Sequence, residues 1–385
     1  MFVTPLFKLM AEKQASDMFF TAGAPIHIKI NGTVMPVNNQ PLDAQQVKQI
    51  AYEIMNNEQI QAFESGMEMN FGHGQREMGN FRVNVFRQRH AVAMVVRYVK
   101  HDVPSIDELR LPPILKNLTA EKLGLVLVVG PTGSGKSTTL ASMIEHRSTS
   151  HAGHILTIED PIEFVFRHKK SIVNQREVGV DTHSYDDALT SAMREAPDML
   201  MIGEIRERST LESALLFAQT GHLCLSTLHA DNSYHALNRI LNFFPREVRD
   251  AVLSDLSFSL KAIISQRLVP NKAGKRVPAI EVLLNTPHIA ELIRKGAIDE
   301  IKDAMEQSLA PGSQTFEQAL FHLHASGEVS LENALANADS PTNLHWLINN
   351  AGKAQGRAEP DAAHTLDLLE RSTDLATIKL DFGKL

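Results

Sequence analysis

The chain has 385 residues, 43% hydrophobic and 22% charged, which is typical of soluble globular proteins and enough for two or three domains. Its net charge of −7 makes a polyanion such as nucleic acid a poor default partner. The single cysteine, Cys224, excludes an internal disulfide and a multi-cysteine zinc site. No apolar run approaches the ~20 residues that span a bilayer, and no export signal is evident, so we expect a cytoplasmic protein.

Residues 1–100 have the pattern of a small α+β domain. Ile26, Ile28 and Ile30 alternate with polar residues and lead into Asn31-Gly32, which predicts a β-hairpin. The other predicted elements are a helix over residues 5–15, a helix capped by Asp43, and strands over Phe81–Phe86 and Ala91–Val99.

The rest of the chain divides into four segments that differ in composition and predicted structure. Prolines in residues 101–117 indicate an interdomain linker. Apolar runs alternate with helical segments over residues 118–285, which predicts an α/β fold with a parallel sheet between helices. Residues 286–350 are predicted to be helical, and the polar residues 351–385 a loosely held tail. The predicted strands of the sheet are Leu125–Val129, Ile155–Ile158, Met199–Ile202 and Leu223–Thr227.

The segment from Gly130 to Ser137 fits the phosphate-binding pattern G-x-x-x-x-G-K-[ST], between a predicted strand and a predicted helix. Such a loop turns backbone N–H groups toward phosphate oxygens. Lys136 would reach the β- and γ-phosphates, and Ser137 would hold Mg²⁺. The sequence therefore predicts binding of ATP or GTP. The residues predicted to contact the nucleotide are Gly130, Thr132, Gly133, Ser134, Gly135, Lys136, Ser137 and Thr138.

Carboxylates follow two other predicted strands. Glu204 comes after Met199–Ile202, where a nucleotidase needs an acidic group to organise Mg²⁺, and we expect it to reach the metal through water. Glu159, Asp160 and Glu163 follow Ile155–Ile158. Because ligands bind beyond the carboxyl ends of strands in open sheets, one of these three could polarise the attacking water.

Two histidines flank the predicted strand Leu223–Thr227. His222 precedes it and His229 follows it, close to Ser226 and Thr227. A lone histidine is usually structural, but this pair could sense a γ-phosphate. Their spacing does not match the usual zinc patterns.

Four segments together resemble, in order, the Walker A, Asp, Walker B and His boxes of the secretion ATPase superfamily. They are Gly130–Ser137, Thr157–Phe164, Gly203–Arg206 and Ser226–Ala230. The resemblance covers roughly residues 1–350. It implies a RecA-like P-loop core, a PAS-like N-terminal domain and a helical C-terminal region.

Within that superfamily the chain resembles the retraction ATPases of type IV pili, the twitching motility proteins. Extension and type II secretion ATPases usually carry a four-cysteine zinc insert, which one cysteine cannot form. The segment Ile289–Arg294 keeps only part of the retraction signature, and Ser16–Phe20 departs from the main retraction motor. Ser313–Leu320 and Asn337–Asn343 are more similar to the accessory retraction ATPases of the PilU type.

The resemblance also implies roles and partners. Glu163 would activate water, Glu204 would be the Walker B carboxylate, and His229 with His222 would read the γ-phosphate. Arg82 and Arg97 would reach the nucleotide from the N-terminal domain, and Arg194 would contact a neighbouring subunit. The expected assembly is a homo-hexamer at the cytoplasmic face of the inner membrane, working with the main retraction ATPase on the pilus platform protein.

Two alternatives stay open at this stage. A nucleotide-binding adaptor of the main motor would bind ATP without needing Glu163 for its function. A RecA-like DNA translocase would have basic and aromatic side chains along a groove, but only 6% of the residues are aromatic and no basic run lies beside the motifs.

Overall fold

The computed structural model describes residues 2–30, 32–75, 79–99 and 102–354. Packing divides the chain into two compact units: Met1–Leu268 with Ile280–Gln314, and Val269–Ala279 with Thr315–Leu385. The N-terminal and nucleotide-binding regions fall within the first unit. The domain boundaries drawn from the sequence remain predictions, and most of the expected tail lies outside the described residues.

The first hundred residues form a six-stranded sheet packed on helices. Neighbouring strands run antiparallel in the order β3-β2-β1-β6-β5-β4. The elements are α1 (Thr4–Glu12), β1 (Asp17–Phe20), β2 (His27–Ile30), β3 (Thr33–Pro36), α2 (Ala44–Glu53), α3 (Asn57–Gly66), β4 (Glu68–Gln75), β5 (Gly79–Gln88) and β6 (Ala91–Val99).

Local signals explain several of these elements. The predicted hairpin is confirmed as β2 paired with β3, with Gly32 in the turn at φ +83°; Asn31 lies outside the described residues. Asp43 caps α2 as expected, because its side chain accepts a hydrogen bond from the Gln46 N–H. Phe7 of α1 stacks on Phe81 of β5, which anchors the helix to the sheet.

A seven-stranded sheet forms the centre of the nucleotide-binding region, in the order β13-β12-β7-β11-β10-β8-β9. The strands from β12 to β9 run parallel. The elements are α4 (Ile114–Ala120), β7 (Gly124–Val129), α5 (Lys136–Ser150), β8 (Gly153–Glu159), β9 (Ser171–Glu177), α6 (Tyr185–Ala192), β10 (Met199–Ile202), α7 (Arg208–Gln219), β11 (Leu223–Leu228), α8 (Ser233–Asn242), α9 (Arg249–Ser259), β12 (Leu260–Pro270), β13 (Arg276–Leu284), α10 (Pro287–Lys295) and α11 (Ile301–Glu306).

Alternate residues of the central strands enter separate cores on the two faces of the sheet. Leu125 and Leu127 of β7 join the core packed against α6 to α10. Val126 and Val128 join the other core, which contains side chains of α4 and α5. Burial on both faces explains the continuous apolar runs from which these strands were predicted.

The second unit is built mainly from helices, with its own small core. Phe316, Leu320 and Leu344 are completely buried there. Its helices are α12 (Phe316–Ala325), α13 (Leu331–Ala336) and α14 (Pro341–Ala354). Over the described ranges of the chain, no helix combines the length and apolar character needed to cross a membrane.

Candidate nucleotide site

The candidate site lies at the carboxyl edge of four adjacent parallel strands, β7, β11, β10 and β8. Val129, which ends β7, is in register with Leu228, and Ile202 is in register with Ile158. The loops that follow therefore meet around one cavity of about 260 Å³. Open α/β sheets bind ligands at this edge.

The phosphate-binding loop depends on close backbone approach at two glycines. Gly130 has φ +153°, and a Cβ there would lie 2.4 Å from the Gln266 carbonyl oxygen. Gly135 has φ +93°, and a Cβ there would lie 2.7 Å from Gln266 Nε2. Both positions combine a positive φ with a lack of space: a Cβ at Gly130 would clash with the backbone of β12, and one at Gly135 would displace the Gln266 side chain.

Gln266 of β12 holds this loop, a role that was not predicted from the sequence. Its Nε2 donates to the Ser134 carbonyl at 2.7 Å, and its Oε1 accepts from Thr139 Oγ1 at 2.6 Å. The residue is 3% exposed, so both bonds are shielded from water. One buried amide thus ties the loop to the first turn of α5. No sequence motif marks it, because the contact joins positions more than a hundred residues apart.

Lys136 lies at the base of the cavity. Its ammonium donates to the carbonyl oxygens of Gly130 at 2.9 Å and Pro131 at 3.0 Å. Burial lowers the pKa of this amine, and the charges of Glu204 and Glu163 act in the opposite direction. Ser134 Oγ is buried with no hydrogen-bond partner among the described residues. A buried ammonium at this cavity suits a phosphate group.

Carboxylates form the opposite wall of the cavity. Glu163 Oε1 accepts a hydrogen bond from Ser137 Oγ at 3.0 Å. Glu159, 7% exposed, accepts from Thr157 Oγ1 at 2.6 Å and Gln175 Nε2 at 3.1 Å. Burial raises the pKa of Glu159 to about 7, despite those hydrogen bonds. Both carboxyl groups line the cavity, but they differ in environment: Glu159 is buried and Glu163 is exposed.

Glu204 is held from two sides. His229 Nε2 lies 3.1 Å from its Oε1, and Arg206 Nε donates to its Oε2 at 2.8 Å. Arg206 also reaches Asp160 at 3.4 Å, so it connects the segments that follow β8 and β10. The hydrogen bond and the adjacent charge of Glu204 raise the pKa of the Arg206 guanidinium further.

The structure brings most of the predicted residues to this cavity. Thr132, Gly133, Lys136, Ser137, Glu163, Glu204 and His229 line it. Gly130, Ser134, Gly135 and Thr138 lie in the loop itself or in the first turn of α5. Tyr185 and Arg206 also line the cavity, and neither was assigned a role from the sequence. Arg206 could have been singled out, because it follows Glu204 within the same motif.

His222 is not at this cavity, which corrects the prediction that it acts there with His229. It precedes β11, whereas His229 follows the strand, so the two are separated by roughly 23 Å at ~3.3 Å per residue. The His222 ring packs on Phe217, and its Nδ1 lies 3.2 Å from the Phe217 carbonyl. A strand places its two ends at opposite edges of the sheet, so two residues that flank it lie far apart within one chain.

Arg82 and Arg97 do not line the cavity in this arrangement of the chain either. Arg82 Nη2 lies 3.8 Å from Glu177 Oε1, and Arg97 Nε donates to Asp17 Oδ1 at 2.9 Å. Their expected action on the nucleotide therefore requires movement and stays a prediction. Arg194 is exposed, and its expected contact with a neighbouring subunit stays a prediction as well.

Comparisons with known proteins agree with the family indicated by the four boxes. Residues 1–288 match the family described as "Type II/IV secretion system protein". The chain is 49% identical to the type IV pilus ATPase PilU of Pseudomonas aeruginosa, covering 95% of this chain and 94% of that protein. It is 41% identical to the type IV pilus retraction ATPase PilT of the same species, covering 89% and 99%.

A solved structure, that of the pilus retraction motor PilT with bound ADP, is also similar. It has a TM-score of 0.83 and 41% identity, covering 89% of this chain and 98% of that one. The α/β architecture described above is therefore that of PilT. The chain belongs to the type II/IV secretion system protein family and, within it, to the type IV pilus ATPases.

Proposed function

We propose that this chain hydrolyses ATP to power, or to assist the main motor in, type IV pilus retraction and twitching motility. One observation carries the proposal: the loops after four adjacent strands bring Lys136, Glu163, Glu204 and His229 to a single cavity. Its similarity to PilU and PilT supplies the biological process. The greater identity to PilU favours the accessory role, with the main retraction ATPase as partner.

In this proposal the phosphate chain of ATP lies along the loop from Gly130 to Thr138. Lys136 would exchange its two backbone carbonyls for β- and γ-phosphate oxygens. The unpartnered Ser134 hydroxyl and the N-terminus of α5 would add donors. PilT, 41% identical to this chain, has been solved with bound ADP, which supports a nucleotide at this loop.

Mg²⁺ fits the same residues. Ser137 would bind it directly, and Glu204 would bind it through water. No cluster of three or more His, Cys, Asp or Glu side chains in the described part of the chain could hold a metal ion alone. That suits Mg²⁺, which binds through few protein ligands together with phosphates and water. Once bound, it would neutralise charge on the β- and γ-phosphates.

Glu163 is proposed as the general base. Its carboxylate would orient a water molecule toward the γ-phosphorus and take up the proton as the new P–O bond forms and the bond to ADP breaks. His229 beside Glu204 would report whether a γ-phosphate is present. Arg82 and Arg97 would stabilise transition-state charge after the N-terminal domain, proposed to be PAS-like, closes over the nucleotide.

The assembly proposed is a homo-hexamer bound to the cytoplasmic face of the inner membrane through the pilus platform protein. Closure and opening of the N-terminal domain would follow the state of the γ-phosphate, because ATP and ADP make different contacts. That cycle would turn hydrolysis into movement of the platform.

Two measurements test the proposal. ATP turnover by the purified chain should depend on Lys136, and twitching of a strain lacking its own PilU-type ATPase should be restored by wild type but not by Lys136→Ala. Negligible turnover, both alone and mixed with the main retraction ATPase, would contradict it. Twitching fully restored by Lys136→Ala would instead support the adaptor.

A further inference from the structure

The segment after β8 separates the nucleotide cavity from a second one. Pro161, Glu163 and Phe164 line the nucleotide cavity. Ile162 and Val165 line the second, which has a volume of about 220 Å³ and is named here the side cavity. A single segment of chain therefore forms the wall between them. Any group that fixes this wall from the side cavity also positions Glu163.

Glu177, the last residue of β9, contacts this wall and the N-terminal domain at the same time. Its Oε2 accepts a hydrogen bond from the Ile162 N–H at 3.0 Å. Its Oε1 lies 3.8 Å from Nη2 of Arg82 on β5. The Glu177 side chain is 14% exposed and that of Arg82 is 27% exposed, so the ion pair is partly shielded from water.

Glu177 is fixed independently of Arg82. Its N–H donates to Asp181 Oδ2 at 2.9 Å, and the next N–H, that of Val178, donates to the Glu159 carbonyl at 2.8 Å. Its carboxylate therefore stays with the sheet edge if the N-terminal domain moves. Arg82 is the partner that can leave.

We infer that Glu177 is a positioning residue for ATP hydrolysis, which fixes the backbone before Glu163 and holds Arg82 in a resting position away from the nucleotide. The inference rests on the proposed function, in which Arg82 acts on the γ-phosphate. The Arg82 guanidinium must leave Glu177 before it can reach the γ-phosphate. ATP competes with Glu177 for Arg82, whereas ADP has no γ-phosphate with which to compete.

Glu177→Gln separates the two contacts. The amide oxygen can still accept from the Ile162 N–H, but the charge that attracts Arg82 is gone. The Glu177 carboxylate competes with the γ-phosphate for Arg82 with the free energy of a partly exposed ion pair. Its removal should therefore tighten binding of an ATP analogue by roughly two- to fivefold. ADP affinity should not change. A merely structural role would change both affinities alike.

The test measures the affinities of the full chain for AMP-PNP and ADP by calorimetry, in wild type, Glu177→Gln, Arg82→Ala and the double variant. We expect Glu177→Gln to tighten AMP-PNP binding only when Arg82 is present. The matched control is Glu195→Gln, which breaks the Arg176–Glu195 pair of 3.0 Å one residue away and should change neither affinity. If Glu177→Gln does not fold, Glu177→Asp replaces it and acts through distance: one methylene less moves the carboxylate away from Arg82, so AMP-PNP binding should again tighten only when Arg82 is present.

Three results would overturn the inference: an unchanged AMP-PNP affinity, the same gain without Arg82, or equal gains for AMP-PNP and ADP. These are distinguishable from failure of the proposed function. Suppose that wild type hydrolyses ATP and that Arg82→Ala lowers turnover, but that Glu177→Gln leaves AMP-PNP affinity unchanged. Only the inference then fails. If wild type neither binds AMP-PNP nor hydrolyses ATP, both fail.

Discussion

Ser137 Oγ donates a hydrogen bond to Glu163 Oε1 at 3.0 Å, across the cavity between α5 and the segment after β8. The proposed metal ligand and the proposed general base are thus in direct contact. A metal ion at Ser137 would use a lone pair of the hydroxyl oxygen, whereas the hydrogen bond to Glu163 uses its proton, so the one hydroxyl could serve both. Ser137 would thereby link the metal to the proposed general base.

Lys136→Ala should weaken nucleotide binding by roughly ten- to a hundredfold, since hydrogen bonds to a charged group contribute about 1.5–3 kcal/mol. Calorimetric titration with ADP measures this directly. Lys8→Ala is the matched control, because its exposed amine pairs with Glu12 far from the cavity. Equal ADP affinities in the two variants would contradict the assignment of Lys136 to the nucleotide site.

Gln266→Glu tests whether the buried amide holds the phosphate-binding loop. The new carboxylate keeps an acceptor for Thr139 but turns an oxygen toward the Ser134 carbonyl, which leaves a buried acceptor unpaired. An unpaired buried acceptor costs about 1–3 kcal/mol. If the loop loses its binding conformation to that extent, ADP affinity should fall by roughly 5- to 150-fold.

Gln314→Glu is the control for this variant. The Gln314 amide donates to the Ile280 carbonyl at 2.7 Å, so the same change is made at a partly buried glutamine away from the loop. It should lower stability without changing nucleotide affinity. An ADP affinity of Gln266→Glu equal to that of wild type would show that the loop keeps its shape without the amide.

Glu159 should make the stability of the protein depend on pH. Burial raises the pKa of this carboxyl from 4.5 to about 7, so the folded chain keeps the proton at pH values where the unfolded chain has released it. The stabilisation from that proton is present below pH 4.5 and is lost as the pH rises toward 7. Glu159→Gln removes the titration. Relative to wild type, its free energy of unfolding should rise by up to about 3 kcal/mol between these pH values.

Urea unfolding without nucleotide at about pH 5 and about pH 8 measures this difference. Glu12→Gln, at an exposed position, should show no such change. A Glu159→Gln variant whose stability relative to wild type is the same at both pH values would argue against the raised pKa.

Cys224 should report on unfolding. The thiol is completely buried in β11, and burial raises its pKa to about 12, so little thiolate is present and reagents cannot reach it. In the native protein we expect labelling by an aromatic disulfide at least ~10³-fold slower than in denaturant. Rapid labelling of the native protein would mean that this part of the sheet opens locally.

The sequence predicted the strands that carry the site well, for a physical reason. Met199–Ile202 was predicted with its observed bounds, and Leu125–Val129 with one residue missing, because strands buried on both faces are short apolar runs. Residues 171–177 were missed as a strand: Ile172 and Asn174 are exposed, so β9 lacks such a run. An edge strand shows its position only once the sheet is assembled.

Motifs located the residues that face the nucleotide but not those that support them. Lys136 and Glu204 belong to local patterns, and both line the cavity. Gln266 and Glu177 act through contacts with distant parts of the chain, which one sequence does not reveal. His222 was predicted to precede, and His229 to follow, one strand, and in the structure only His229 lines the cavity.

ATP turnover by Glu163→Gln tests the central claim most directly, measured together with the affinity for ATP. The amide can still accept from Ser137, but it cannot take a proton from water. We expect turnover to fall by roughly 10²–10⁴-fold while ATP affinity stays within about threefold of wild type. Turnover equal to that of wild type would contradict the assignment of Glu163 as the general base.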